Sequence, residues 1–355
     1  MNYNILAINP GSTSTKIAVY DSEKLILEEK INHKAEELSK YDKINDQFDM
    51  RKKIILEILM RNNINIGKLS AVVGRGGLLP PVKSGAYLVN ECMLDRLINN
   101  PIGEHASNLG AIISYEIAKE LNINAYIYDS VAVDELSDVA RISGLKEIER
   151  VSLTHALNSR AMAIKYCKNN ELKYKDLNLI VAHLGGGISL SLHNKGKMVD
   201  IVSDDEGPFS PERSGKVPCK ALVDLCYSSK YTHKEMLKKL RGKGGMYSYL
   251  ETVDLIEVEK QIQNENSESK LVYEAMIYQI AKGIGELATV VDGDIDAIII
   301  TGGIAYSKTI TKSIEKKVRF ISKVEIMPGE NELEALAYGV LRILRKEEEV
   351  HIYKE

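Results

Sequence analysis

Cysteine is scarce in this sequence: there are four in 355 residues, Cys92, Cys167, Cys219 and Cys226, and no two stand in C-x-x-C spacing. That excludes a thiolate metal centre and a disulfide frame, and it reads as a set of reduced thiols in a cytoplasmic protein. Excess charge of either sign is lacking as well, since 47 Lys and Arg stand against 50 Asp and Glu for a net of -3. No general attraction to nucleic acid or to an anionic membrane is expected, so chemistry on phosphate must draw on cations placed locally. No apolar run approaches the roughly 18 residues of a membrane span, and Met1 to Tyr20 lacks the basic-then-apolar layout of a signal peptide. Nothing is low in complexity. The most polar stretch, Gln261 to Lys270 (QIQNENSESK), reads as a solvated loop between helices.

What is there is an ordinary globular composition, 44% hydrophobic and 27% charged, in a chain long enough for about two domains of roughly 100 to 200 residues. Helical periodicity runs through Arg51 to Met60, Ala106 to Leu121, His155 to Asn169, Leu271 to Asp292 and Glu332 to Arg345. Short apolar runs at Ala71 to Val73, Ala125 to Tyr128, Leu177 to Ala182, Ala297 to Ile300 and Val324 to Met327 predict strands. Strands alternating with helices imply an α/β architecture.

The segment ILAINPGSTSTKIAVYD, Ile5 to Asp21, sets hydroxyls and a lysine between two apolar runs. It is not a P-loop, which reads G-x-x-x-x-G-K-[ST] and feeds a helix. The residues after Thr15 alternate as a second strand, so the unit is strand, polar turn, strand, with a phosphate-sized set of donors at the tip. An ordinary Ser/Thr-rich hairpin turn would use the same residue types. The pattern returns at Leu179 to His193, LIVAHLGGGISLSLH, followed by the hairpin turn Asn194 to Lys197 and a third strand from Met198 to Val202. Setting Asn9 on His183 and Gly11 on Gly185 takes one offset, since 183 − 9 and 185 − 11 are both 174. The first copy also runs on into a third strand, Lys24 to Glu28. Two such units suggest a duplicated domain, and if the halves face each other both turns point into one cleft. A third glycine turn, Thr301 to Ala305, lies between a strand and a helix, where a nucleotide can rest on backbone.

With these motifs in hand the chain resembles the superfamily of acetate and sugar kinases, heat-shock chaperones and actin. Within it, the chain is most similar to the butyrate and branched-chain fatty acid kinases of the acetokinase family. The resemblance rests on INPGSTSTK (8 to 16), VVGRGG (72 to 77), YDS (128 to 130), VAHLGGGIS (181 to 189), FSPERSGKVP (209 to 218), TGGIAYS (301 to 307) and PGENELEALA (328 to 337). It implies two duplicated ribonuclease-H-like, actin-like ATPase domains around a nucleotide cleft. One would be residues 1–150 with a returning C-terminal helix, 333–355, on the acyl-acceptor side; the other would be residues 151–332, binding nucleotide. It implies an ATP-dependent, Mg²⁺-assisted kinase that makes an acyl phosphate, working in the cytoplasm as a homo-oligomer. By motif position Asn9, Gly11, Ser12, Ser14, Lys16 and Gly185, Gly186 and Gly187 would hold phosphates, and Gly302 and Gly303 the adenosine. Arg75, Asp129, His183 and Arg213 would serve the chemistry, and Asn9 and Glu332 the metal. A third glycine at Gly185 to Gly187, and Glu212-Arg213-Ser214-Gly215-Lys216 in place of the Thr-Arg-Ser-Gly-Asp run of acetate kinases, favour the butyrate branch.

The chemistry suits these residue types. A carboxylate acceptor is already ionised at pH 7 and needs no general base, so catalysis must overcome repulsion between anions. Cations and N–H donors aimed at the transferring phosphoryl group do that. Arg75 is assigned to the acyl carboxylate and Arg213 to the phosphoryl group, with His183 donating to the same group. Asp129 either orients an arginine or binds Mg²⁺ through water. Bland readings stand beside these: His183 as a core histidine, and Asp129 and Glu332 as helix-cap residues. A sugar kinase of the same superfamily would need an aspartate base, for which Asp129 or Asp205 could serve, and an actin-like scaffold would need no acceptor at all. Val73, Leu78, Leu79 and Pro80 are the candidate walls for the acyl chain.

Overall fold

The computed structural model describes residues 2–354. Twelve strands run in chain order: β1 (Asn4–Pro10), β2 (Ser14–Asp21), β3 (Lys24–Asn32), β4 (Leu69–Arg75), β5 (Ala86–Leu88), β6 (Asn124–Tyr128), β7 (Asn178–Leu184), β8 (Ile188–Asn194), β9 (Lys197–Val202), β10 (Ala297–Thr301), β11 (Val324–Ile326) and β12 (Val350–Ile352). The helices that matter for the site are α1 (Phe48–Arg61), α2 (Asn108–Glu120), α3 (Ala156–Asn169), α4 (Leu255–Gln263), α5 (Ser267–Ala288), α6 (Lys308–Val318) and α7 (Glu332–Leu344).

Two compact units divide the chain, residues 1–134 with 331–355 and residues 135–330. The first holds a seven-stranded sheet in the order β12-β5-β6-β4-β1-β2-β3, the second a five-stranded sheet in the order β11-β10-β7-β8-β9. In each, three antiparallel strands continue into parallel ones: β1 beside β4 and β4 beside β6, β7 beside β10 and β10 beside β11. The duplication read from the sequence is therefore present in the topology. Strand β7, NLIVAHL, is buried at every position, as expected where helices cover both faces of a sheet.

Helix α7 shows how the covering works. Leu333, Leu336, Ala337, Val340 and Leu341 recur at helical spacing and are all buried, forming the stripe that packs on β1 and β4. Gly339 lies against the ring of Tyr128, where an added Cβ would come within 2.5 Å. In the second unit α3 takes the same place, Met162, Ala163, Tyr166 and Cys167 packing on Leu179 and Val181 of β7 and on Ala297 and Ile299 of β10. Helix α2 approaches β4 closely enough that a Cβ on Gly74 would meet the Gly110 carbonyl at 2.1 Å.

Two expectations need correction. Residues 135–150 belong to the second unit, not the first, because Leu136 and Ala140 pack on Ile201 and Arg150 binds Asp200, Glu206 and the Ile201 carbonyl. Gln261 to Lys270 is not a loop either. Helix α4 runs to Gln263 and α5 starts at Ser267, with Asn266 accepting from the Ser269 amide as its cap; the polarity reflects exposed helix ends, not irregular backbone.

Candidate functional site

In α/β sheets, ligands meet the carboxyl ends of parallel strands. In the first unit, Ile8 pairs with Gly74 and Arg75 with Tyr128, so Asn9, Arg75 and Asp129 come to that one edge from β1, β4 and β6. The first residue of α7, Glu332, joins them. Arg75 Nη1 lies 2.9 Å from Glu332 Oε1 and 3.5 Å from Asn9 Oδ1, and Asn9 Nδ2 donates to Glu332 Oε2 at 2.5 Å. Three residues far apart in sequence thus form one cluster. The glycines around Arg75 are packing requirements: a Cβ would meet Ser130 Cβ at 2.5 Å from Gly76 and Asn108 Oδ1 at 2.5 Å from Gly77.

The polar turn leaves the same edge. Gly11 N donates to Ser14 O at 2.7 Å, and Lys16 stands directly opposite Asn9 across β1 and β2, so the two side chains share a face. Ser12 and Thr13 are exposed. Among the described residues, the Ser12 and Ser14 hydroxyls and the Lys16 ammonium have no hydrogen-bond or ion-pair partner, which leaves them available as donors.

Asp129 is buried at a φ of 40°. Its Oδ1 accepts from Gly85 N at 2.7 Å, and its own amide donates to Gly85 O at 3.1 Å, so it staples the turn ahead of β5. No helix begins after it, which overturns the helix-cap reading. His105, which sequence reasoning missed, sits close enough to Arg75 that burial, and then the guanidinium charge, hold its pKa below the usual histidine range; Nδ1 lies 2.6 Å from Ser107 Oγ. A histidine in a polar loop between helices carries no periodic signal by which it could have been singled out.

In the second unit His183 is the last residue but one of β7, paired with Ser189 on β8 and Thr301 on β10. Thr301 Oγ1 donates to Gly329 O at 3.2 Å, so it accepts from Asn158 Nδ2 at 3.3 Å, and that same amide nitrogen faces His183 Nδ1 at 2.9 Å. His183 Nε2 lies 3.3 Å from Glu330 Oε1 without making a hydrogen bond. His155 stacks on the ring at 3.9 Å and 10° and places Nδ1 2.8 Å from Ser189 Oγ. Asn158 and His155 both come from the start of α3 and were not singled out in the sequence. His183 is buried in a polar setting, which is more than the bland core reading allowed.

The three glycines at 185 to 187 do different work. Gly185 N donates to Gly187 O at 3.0 Å, closing the turn one residue tighter than Gly11 to Ser14, so the offset of the two copies holds in β7 and slips in β8. A Cβ on Gly187 would lie 2.6 Å from Arg213 Nη1, whereas Gly186 has only Glu212 Oε1 nearby, at 3.4 Å. Gly187 therefore makes room for Arg213, and Gly186 is open. Ser210 ties the Arg213 loop to this turn, donating from Oγ to Gly186 O at 2.5 Å and accepting from Arg213 N at 3.1 Å. Arg213 is ion-paired with buried Asp204, which also binds Arg241 at 2.8 Å; neither partner was read from the sequence. Gly302, at φ 90°, forms a two-way bridge with Gly329, and a Cβ there would come 2.2 Å from Leu184 O. Gly303 has nothing within 4 Å. Of that pair, Gly303 is the one that offers open backbone.

Two copies of one topology, with Arg75, Glu332 and Asn9 at the strand ends of one unit and His183, the open glycines and Arg213 at those of the other, place the chain in one class by fold: the α/β proteins of the actin-like ATPase fold. The chain belongs to the acetokinase family, whose pattern matches residues 155–339. It is 53% identical over 354 residues, covering 99% of this chain and 100% of the relative, to butyrate kinase 1 of Clostridium acetobutylicum. Among solved structures it is similar to the acetate kinase of Porphyromonas gingivalis, with a TM-score of 0.78 at 18% identity over 96% of this chain and 100% of that one. A propionate kinase from Francisella tularensis gives a TM-score of 0.73 at 16% identity over 95% of this chain and 98% of that one.

Proposed function

We propose that this protein phosphorylates a short-chain fatty acid, butyrate or a branched acid of similar size, at the expense of ATP. The observation that carries the reading is the near full-length 53% identity to a butyrate kinase. In the reaction a carboxylate oxygen forms a bond to the γ-phosphorus, the bond from that phosphorus to the β,γ-bridging oxygen breaks, and ADP leaves with the electron pair. No proton moves, and the reverse reaction returns ATP.

Each cluster is given the part its chemistry suits. Arg75 already holds one carboxylate, that of Glu332, through Nη1, and it is assigned the acyl carboxylate. The free hydroxyls of Ser12 and Ser14, the Gly11 turn and Lys16 are assigned phosphate oxygens, as are Gly185 and Gly186; Gly187 supports them by seating Arg213. Arg213 and His183 are assigned the transferring group, where donors fixed in advance lower the barrier. Gly302 shapes the adenosine turn and Gly303 receives the ligand. Asp129 is given a positioning role through Gly85.

Magnesium is expected to neutralise phosphate charge. It usually takes one or two protein carboxylates and fills its remaining positions with phosphates and water. Among the described residues no group of three or more His, Cys, Asp or Glu could hold a metal, and Glu332 fits as the one carboxylate, with Asn9 beside it. For the acyl chain, Val73 inside β4 and Leu79 are both buried in the core, which leaves the partly exposed Leu78 and Pro80 as the candidate walls. A homo-oligomer working in the cytoplasm completes the reading.

The test is an acid panel with ATP and hydroxylamine, which traps acyl phosphates as hydroxamates. Hydroxamate that forms with butyrate and is absent without acid is the expected result. ADP release that ignores added carboxylate would favour a scaffold, and phosphorylation of a sugar without hydroxamate would favour a hydroxyl kinase.

A further inference from the structure

Arg51 sits on α1, a helix whose periodicity marks it only as amphipathic, yet its side chain is 1% exposed. The guanidinium reaches under the polar turn. Nη1 donates to Gly11 O at 2.8 Å, Ser14 O at 3.2 Å and Thr15 Oγ1 at 3.0 Å, and Nη2 donates to Ser12 O at 3.2 Å. Gln47 Oε1 clamps it from behind, at 3.2 Å from Nε and 2.8 Å from Nη2. Every acceptor is neutral. Among the described residues no carboxylate pairs with this arginine, although a buried charge ordinarily demands a counter-ion.

Two consequences follow from elementary geometry. In a trans peptide the C=O of one residue and the N–H of the next point in opposite directions. Drawing the Gly11 and Ser12 carbonyls inward therefore turns the Ser12 and Thr13 amides outward, and among the described residues neither amide has a partner within the protein. The uncompensated positive charge also lies directly beneath those amides, where an anion on the turn would supply the missing counter-charge through a thin, poorly screened layer.

We infer that Arg51 is a positioning residue for the phosphate chain of the nucleotide: it fixes the Gly11 to Thr15 turn in its anion-receiving form, and its buried charge is neutralised by the bound phosphates. This rests on the reading of that turn as a phosphate site. A lysine cannot replace it, because a single ammonium lacks the planar fork that spans three carbonyls and a hydroxyl.

The experiment measures the Kd for ATP by calorimetry, with the Tm of each unliganded protein, for wild type, Arg51→Lys, Arg51→Ala and Lys16→Met. At least tenfold weaker ATP binding is expected in Arg51→Lys. In Arg51→Ala, millimolar guanidinium should recover threefold or more of the lost affinity where ammonium does not, which a residue that only holds the fold together would not show. A folded Arg51→Lys with a lowered Tm and a Kd within twofold of wild type would overturn the inference. If neither position-51 variant folds, Gln47→Leu, which leaves the guanidinium in place but unclamped, should weaken ATP at least threefold, and an unchanged Kd there overturns the inference equally. Weakening by Lys16→Met but not by the Arg51 variants rejects Arg51 alone. Loss of ATP binding in wild type rejects the reading of the turn and this inference with it.

Discussion

Arg213 meets one carboxylate, one glycine and one serine, and each contact bears on a substitution. Replacing it with alanine removes the fork that the phosphoryl group is expected to use and leaves Asp204 with Arg241 alone. We expect kcat to fall at least 10²-fold, with a smaller change in the KM for ATP, and lysine to rescue only in part; steady-state kinetics on the three proteins decide it, and more than about half of wild-type kcat in Arg213→Ala would end the assignment. The neighbouring glycines separate cleanly. Gly187→Ala drives a methyl into the guanidinium and should lower kcat tenfold or more, whereas Gly186→Val meets only the end of a flexible glutamate and should keep its Tm while weakening ATP. An unchanged nucleotide Kd in folded Gly186→Val would reduce that residue to a turn former.

Strand β8 carries a prediction of a different kind. His193 on it is fully enclosed, with Nδ1 2.6 Å from the Tyr174 hydroxyl and Nε2 2.9 Å from Ser191 Oγ, and burial, helped by the charge of Arg160, pushes its pKa down to about 3. The unfolded chain takes up this proton below the ordinary value of about 6.5, while the folded chain resists until far lower pH. Stability is therefore whole above that ordinary value and falls as the solution is acidified toward the folded value, by up to about 1.4 kcal/mol per pH unit from this group. His193→Gln should flatten the plot of Tm against pH between about 6.5 and 4 relative to wild type, and an identical slope in both proteins would refute the account. Elements of this size were mostly legible. The period of α7 and the run of β7 stand out because each buries a continuous stripe or face. The helices at Cys219–Cys226, His233–Leu240 and Gly245–Leu250 went unread, being only 8, 8 and 6 residues long, well short of the window over which an apolar repeat declares itself. Arg51 was invisible for another reason: nothing along a helix tells a buried arginine from a solvated one until the turn it supports is placed beside it.

For the molecule as a whole, selection among acids is the property with the weakest physical lever. Each methylene fitted into an apolar pocket contributes roughly 0.8 kcal/mol, so butyrate should exceed acetate in kcat/KM by about tenfold or more, while acids differing by one methylene overlap. Equal kcat/KM for acetate, propionate and butyrate would dismiss the pocket and leave carboxylate phosphorylation standing. The duplicated topology was readable because both turns kept their glycines. The boundary at residue 134 was not, because the 135–150 segment declares its allegiance only through contacts such as Arg150 with Asp200. The path of the chain also sets a timetable. The first unit is finished only by residues 331–355, which are made after the whole second unit, so the sheet face that α7 covers stays bare while residues 135–330 are synthesised. A message cut short after residue 330 would release a chain with that apolar face uncovered, marking the truncated product for chaperones and proteases before it could compete for substrate.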